Sequence, residues 1–297
     1  MPSDLVQPPP ELMHRWRIRP TAYLGGRRRQ HWLVSRGSTQ LVLAVSPGDV
    51  TYELEVQRHL LRAGWPVPEL VGGPVRLADK TWYLAARLPG TSVQEANAQR
   101  RRRGHLLAEL HASTAQLTDL GQRNGFVLAD TLVADRELDA SLRAYERLRP
   151  TEGRIMRWHL DWARAAFARL DLSRAETLVL HGDFAPWNLL FEGERLSGIL
   201  DFEASHLNYR VADFALSWRG DQDEVLAGYA EVHTLSDLDW ELLIPVFWSW
   251  LFIGMPRHIG DILEGRSEPH GFDWQINHLL KRSDAIRGRV PRLRHPG

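Results

Sequence analysis

The sequence of 297 residues contains no cysteine. Disulfides, thiolate metal sites and a cysteine nucleophile are therefore excluded. A chain without cysteine fits the cytoplasm, which is the expected setting. Lysine is almost absent: Lys80 and Lys281 are the only two, so the positive charge is carried by arginine. Net charge is absent as well, with Lys+Arg and Asp+Glu both at 37. A neutral chain has no one-signed field to gather a polyanion, so no nucleic-acid partner is expected. The most apolar run, Leu242–Met255, is too short to span a bilayer and contains Pro245. It predicts a buried helix and no membrane partner. The stretch Met1–Trp16 has no apolar segment after a basic start, so a signal peptide is not expected.

What is present is ordinary for a soluble globular protein, with 43% hydrophobic and 25% charged residues. The length suggests two domains at roughly 150 residues each. Residues 1–20, with Pro8-Pro9-Pro10, read as a lead-in. His31–Val34 and Leu41–Val45 are short apolar runs around the turn Ser35–Ser38, and Gly25-Gly26 marks an earlier turn. Residues 51–63 show helical spacing, with Leu54, Leu60 and Leu61 available to one face, and Gly64, Pro66 and Pro68 stop the helix. Val75–Leu77 and Trp82–Leu84 predict a hairpin turning at Ala78-Asp79-Lys80. Residues 21–88 thus predict a small antiparallel sheet with one helix. Pro89-Gly90 breaks the chain there, and residues 89–297 predict a mostly helical domain, with helices over 94–118, 137–148, 154–170 and within 221–290. The fold class is α+β.

One segment carries recognisable chemistry. Thr177–Leu180 predicts a strand that runs into His181-Gly182-Asp183. Asn188 follows on the same loop, then a strand Leu189–Phe191, a turn Glu192-Gly193-Glu194, and a second strand Ile199–Phe202 that carries Asp201 and leads into Glu203. Alternation makes Leu190 and Leu200 available to a core and turns the polar groups to a cleft. An Asp, an Asn and a second Asp at the mouth of one hairpin suit phosphoryl transfer. That reaction needs a carboxylate to orient the acceptor hydroxyl and hard oxygen ligands for the metal that bridges the nucleotide phosphates.

The pattern His181-Gly182-Asp183, Asn188, then Ile199, Asp201, Phe202 and Glu203 resembles the catalytic loop of the aminoglycoside phosphotransferase and choline kinase-like family. Asp213, in Arg210-Val-Ala-Asp-Phe-Ala, matches a further position of that pattern. The resemblance covers roughly residues 21 to 220. It implies a protein-kinase-like two-lobe fold, with a small antiparallel-sheet N-lobe and a larger, mostly helical C-lobe. It implies Asp183 as the base that orients the acceptor hydroxyl, His181 as a brace of the loop, and Asn188 and Asp201 as Mg2+ ligands. Asp213 would hold the loop backbone, and Glu203 would meet metal-bound water or a cationic substrate.

The resemblance also implies a nucleotide co-substrate, ATP or GTP. Its base would be held by main-chain groups of the stretch Trp82–Gly90, at Ala86 and Leu88. A third-strand lysine or arginine, paired with a helix glutamate, would bind the phosphates. Here that strand position is Ala44, which cannot do so. The helix glutamate is Glu53, or Glu55 if the register slips. Two readings stay open. Arginines of the run Arg27-Arg28-Arg29 replace the cation, or the chain is a non-catalytic, nucleotide-binding pseudokinase. A solvated turn remains the plain alternative for that run, and an exposed helix face for Arg100–Arg103.

The acceptor would be a small hydroxylated molecule, such as an antibiotic, amino alcohol, amino acid or sugar, held by residues 120–170 and 221–290. Trp248 and Phe252 at helical spacing read as packing. Asp221, Asp223 and Glu224 form an acidic cluster that would either meet a substrate amine or cap a helix start.

Overall fold

The computed structural model describes residues 5–26, 29–93 and 96–295. The chain does not divide at a single point. One compact unit comprises Met1–Gln94 and Ala185–Ser205; the other comprises Glu95–Phe184 and His206–Gly297.

The first unit begins with α1 (Pro10–Trp16) and strands β1 (Arg19–Gly25), β2 (Gln30–Arg36) and β3 (Thr39–Ser46). Helix α2 (Thr51–Arg62) and strands β4 (Leu70–Leu77) and β5 (Lys80–Ala86) follow. The five strands form an antiparallel sheet in the order β1-β2-β3-β5-β4. Alternation sorts the side chains to two faces. Trp32 and Val34 of β2, Leu41, Leu43 and Val45 of β3, and Trp82 and Leu84 of β5 pack with Leu12 and Trp16 of α1. On the other face, Ala44 and Tyr83 pack with Val50 and Leu54, under α2. In α2 itself Leu54 and Leu60 are buried while Leu61 is largely exposed. Val56, Gln57 and Glu53 share the buried face, and Glu53 is fully enclosed. The helix ends at Gly64, whose φ of 87° is left-handed and costs glycine nothing.

The second unit holds α3 (Asn97–Thr114), α4 (Ala129–Ala134), α5 (Arg136–Leu148), α6 (Pro150–Phe167) and β6 (Thr177–Leu180). The chain then returns to the first unit as the hairpin β7 (Leu189–Glu192) and β8 (Arg195–Ile199). Backbone bonds stitch this hairpin to the sheet unit: Thr91 and Phe191 exchange N–H···O bonds of 3.1 and 2.9 Å, and Ile199 N–H donates to Pro66 O at 2.8 Å. After it come β9 (His206–Tyr209), paired antiparallel with β6, and helices α7 (Phe214–Ser217), α8 (Asp223–Val232) and α9 (Asp237–Trp250).

Helix α9 contains only the first part of the apolar run expected to form a buried helix; the helix ends at Trp250, and the run goes on through a turn in which Ile253 is exposed. Asp237–Leu263 is apolar enough to pass for a membrane span, yet 67% of its most apolar window lies inside the unit, as in a core helix. Its start is fixed by a reciprocal cap: Ser236 Oγ accepts from Asp239 N–H at 3.1 Å, and Asp239 Oδ2 accepts from Ser236 N–H at 2.9 Å. Trp248, Phe247 and Phe252 are enclosed, which agrees with the packing reading.

The expectation for Arg100–Arg103 needs correcting. Arg101 is exposed and pairs with Glu224 at 2.9 Å, but Arg103 is buried and donates to the carbonyl of Ser217 at 2.6 Å. Helical periodicity points it inward, and a guanidinium is tolerated there because a backbone acceptor meets it.

Candidate active site

In the helical unit, β6 delivers the chain to His181, which is buried, and Gly182, whose φ is 82°. The loop that follows is held by one carboxylate. Asp213, fully enclosed, accepts the N–H of His181 at 3.0 Å and that of Gly182 at 2.6 Å. It also meets His111 Nε2 at 2.9 Å. Burial alone would raise the Asp213 pKa, but the hydrogen bond and charge of His111, with His181 and the Gly182 N–H, outweigh it. The carboxyl lies below its ordinary range. A carboxylate only accepts, so His111 Nε2 carries its hydrogen. In the neutral ring Nδ1 then accepts from Tyr229 Oη at 2.9 Å, and burial keeps that phenol protonated.

Two further bonds complete the loop. Asp183 N–H donates to His181 Nδ1 at 3.2 Å, and Ser217 Oγ donates to the Phe184 carbonyl at 2.6 Å. Successive main-chain groups from His181 to Phe184 are therefore occupied, while the Asp183 side chain stays half-exposed. Of these partners, the sequence reading named Asp213 and missed His111 and Ser217. His111 lies one turn beyond Leu107 on the buried face of α3, a spacing that would have marked it.

In the sheet unit, Asn188 ends a 3-10 turn (Pro186–Asn188) and is buried. Its carbonyl accepts the N–H of Leu200 at 2.8 Å, next to Asp201. The second strand is shorter than expected: β8 stops at Ile199, and Phe202–Ala204 is a 3-10 turn. Asp201 between them is left-handed, with φ of 62°, a conformation no strand can continue through. Such strain in a non-glycine residue gathers at functional positions. The pleat is also shifted by one residue from the expected one. Leu189 and Ile199 are the buried pair, and Leu190 and Leu200 are only partly covered. Asp201 is exposed. Among the described residues no group of three or more His, Cys, Asp or Glu could hold a metal. An amide and a carboxylate suit Mg2+, a hard cation that keeps several waters and takes phosphate oxygens for the rest.

The same unit holds a buried ion pair. Arg29, just ahead of β2, is 7% exposed, and Glu53 of α2 is 0% exposed. Arg29 Nη1 lies 2.6 Å from Glu53 Oε1, and Nη2 donates to Oε2 at 2.8 Å. Nη1 also donates to Tyr83 Oη at 3.1 Å, and Nε stands 4.0 Å from Glu203 Oε2. Burial works against the charge of Arg29, but Tyr83, Glu53 and Glu203 outweigh it and raise the pKa, so the guanidinium stays charged. Burial, then Arg29, hold the His31 pKa below its ordinary value, opposed by Asp201, whose field therefore reaches this cluster. The two helix glutamates differ in facing: Glu53 points under the sheet, whereas Glu55 is exposed and pairs with Arg58. Ala44 is buried, paired in register with His31 on one side and Tyr83 on the other. Arg27 and Arg28 lie outside the described residues. Strand parity held the signal for Arg29. Trp32 and Val34 face α1, so Arg29 and His31 must face α2.

At the end of β5, the Ala86 N–H donates to Glu69 O at 2.8 Å, so that donor is taken. Leu88 lies beyond the strand, and its backbone makes no hydrogen bond with the described residues. In the helical unit, the acidic cluster is largely engaged. Asp223 accepts from Trp218 Nε1 at 3.0 Å and from Arg289 at 2.6 Å, and Glu224 pairs with Arg101. These contacts favour the helix-start reading over a substrate amine for those two carboxylates.

The Phosphotransferase enzyme family pattern matches residues 19–242. A homoserine kinase of Zymomonas mobilis is 27% identical over 197 residues, covering 63% of this chain and 59% of that protein. The chain spans less than two thirds of the length of the curated homoserine kinases it matches, at 59%, 63% and 53%. Among solved structures, a spectinomycin phosphotransferase in complex with ADP and spectinomycin has a TM-score of 0.65 at 14% identity, covering 95% of this chain and 97% of that one. An amicoumacin kinase in complex with AMP-PNP and Ca2+ has a TM-score of 0.62 at 15% identity, covering 91% and 87%. The fold is thus that of the aminoglycoside phosphotransferases, a kinase-like α+β architecture. By its sequence pattern over residues 19–242, this chain belongs to the Phosphotransferase enzyme family.

Proposed function

We propose that this protein is a small-molecule kinase that moves the γ-phosphoryl group of a nucleoside triphosphate to the hydroxyl of a small molecule. The observation that carries this reading is the clamped loop His181–Phe184. Its main chain is fixed by Asp213, His181 and Ser217, and its one half-exposed carboxylate is Asp183. Holding the backbone fixed positions the carboxylate that the loop carries, which is what a base aimed at an acceptor hydroxyl requires.

Asp183 orients the acceptor hydroxyl and takes its proton as the phosphorus–oxygen bond forms. His181 braces that loop. Asn188 and Asp201 hold Mg2+, which when bound neutralises charge on the nucleotide phosphates. Glu53 positions the nucleotide end of the site. The Leu88 backbone, without a hydrogen-bond partner among the described residues, receives the base, with Ala86 beside it through groups other than its N–H. Arg27 and Arg28 stay in this reading as phosphate-loop residues. The cytoplasm, where nucleoside triphosphates are held, is the setting.

The homoserine kinase relatives favour a hydroxy amino acid or amino alcohol among the acceptors, over an antibiotic or a sugar. The alternative, a non-catalytic nucleotide-binding pseudokinase, is favoured by Ala44 alone. A screen of hydroxylated metabolites and antibiotics for stimulated ATP or GTP consumption, with Mg2+, tests the proposal. One acceptor should stimulate consumption, and Asp183→Ala should lower its turnover by roughly 10²–10⁴. Unchanged turnover in that variant would sink the assignment. Stabilisation by ATP with Mg2+ but no turnover on any acceptor would favour the pseudokinase.

A further inference from the structure

The unexplained feature of the sheet unit is one edge of Arg29. A guanidinium carries five N–H donors in a planar fork. The end of the fork faces Glu53: Nη2 donates to Oε2, Nη1 lies 2.6 Å from Oε1 as an ion-pair contact, and Nη1 donates to Tyr83. The side edge, formed by Nε–H and the remaining Nη2–H, is turned elsewhere. Nε is buried and has no hydrogen-bond acceptor among the described residues. Its nearest carboxylate, Glu203 Oε2 at 4.0 Å, is beyond hydrogen-bond reach. A buried, charged donor without an acceptor is costly and calls for an explanation.

We propose that this side edge binds phosphate oxygens of the nucleotide, and that Arg29 of the β1–β2 connection replaces the cation that β3 does not supply. The inference rests on the phosphotransferase reading above. Four observations converge on it. Two parallel N–H groups match two oxygens of one phosphate in a way that a lysine ammonium cannot. Glu53, enclosed under the sheet, fixes the opposite end of the fork, so the free edge has a set direction. The row His31, Ala44, Tyr83 crosses the α2-facing side of the sheet, and Arg29 lies one pleat along β2 from His31 on that side. Finally, Glu203, two residues from Asp201, stands 4.0 Å from Arg29 Nε, so the side edge lies on the same side as the carboxylate proposed to hold the metal.

Glu203 completes the logic. With Glu53 it gives the guanidinium two carboxylate neighbours, and at 4.0 Å it attracts the side edge without occupying it. Glu53 acts through Arg29 and is a positioning residue.

Equilibrium binding of ATP and adenosine, with GTP and guanosine in parallel and Mg2+ present, tests the proposal on the full chain. Wild type should bind a triphosphate more tightly than its nucleoside. Arg29→Met should weaken triphosphate binding by roughly 10–150-fold, the loss expected for a charge-assisted hydrogen bond, and leave nucleoside binding unchanged. Arg29→Lys should fall between the two. Arg29→Met alone leaves Glu53 enclosed without its partner. If it does not fold, the pair-neutral Arg29→Met/Glu53→Met variant gives the same reading, because removing both charges avoids a lone buried one. Triphosphate affinity equal to wild type would overturn the proposal, as would an equal loss for the nucleoside. A wild type that binds neither triphosphate would overturn it together with the phosphotransferase reading; a variant result against a binding wild type overturns it alone.

Discussion

Asp213 shows how much a single side chain decides here. It satisfies two main-chain N–H groups at the turn before Asp183 and faces His111 as well. Its removal takes the acceptor from these donors, at about 1–3 kcal/mol each. Asp213→Ala should therefore lower the unfolding free energy by at least about 3 kcal/mol, read as a drop in the urea midpoint at unchanged slope. A loss below about 1 kcal/mol would mean that water replaces the carboxylate, and that the loop is not held as described. Asp201 is the complementary case. Its left-handed backbone costs stability, and the Leu200–Asn188 bond one residue earlier helps to impose it.

At the level of elements, the closest packing in the helical unit is that of α3 on α8. It depends on two glycines. A Cβ at Gly104 would lie 2.1 Å from the Val225 carbonyl oxygen, and one at Gly228 would lie 2.0 Å from that of Arg101. Both obstacles are backbone, so the helices would have to separate. Gly104→Ala should destabilise the protein by about 1–3 kcal/mol, even though alanine is the better helix former by about 1 kcal/mol. A thermal melt that shows a gain instead would indicate that the helices move apart freely. The β7–β8 hairpin shows where element boundaries escape the sequence. Leu-Leu and Ile-Leu pairs offer an alternating pattern in either parity. The observed pairing of Leu189 with Ile199 puts the other leucine of each pair at the margin. A bulge between Leu190 and Phe191 then shifts the remainder of the hairpin, which no residue type announces.

Two histidines of the helical unit link the stability of the molecule to pH. The pKa of His159 lies below its ordinary 6.5 through burial, opposed by its bond to the Ile155 carbonyl. His233 is lowered by burial and then by Arg210. Each is depressed on folding, so the unfolded chain binds more protons once the pH falls below the unfolded value. The stabilisation is complete above about pH 6.5 and is lost as pH falls toward the folded values. The melting temperature should hold steady from about pH 8 to 7 and decline below about 6.5. His159→Gln should make that decline shallower; an equally steep decline in the variant would remove His159 as a cause.

The sequence by itself determined the α+β class, the sheet-then-helix order, and the identity of the residues suited to phosphoryl transfer. These are local properties: alternation, helical spacing and a short motif with fixed intervals. It also showed that β3 lacks a cation at Ala44, and it placed arginines nearby without choosing among them. Only the tertiary structure pairs Arg29 with Glu53. Arg29 comes under α2 because the pleat of β2 turns it there, and Glu53 rather than Glu55 meets it because α2 buries that face. The pairing joins residues 24 positions apart, one in a connection ahead of a strand and one on a helix, whose separation no local pattern encodes.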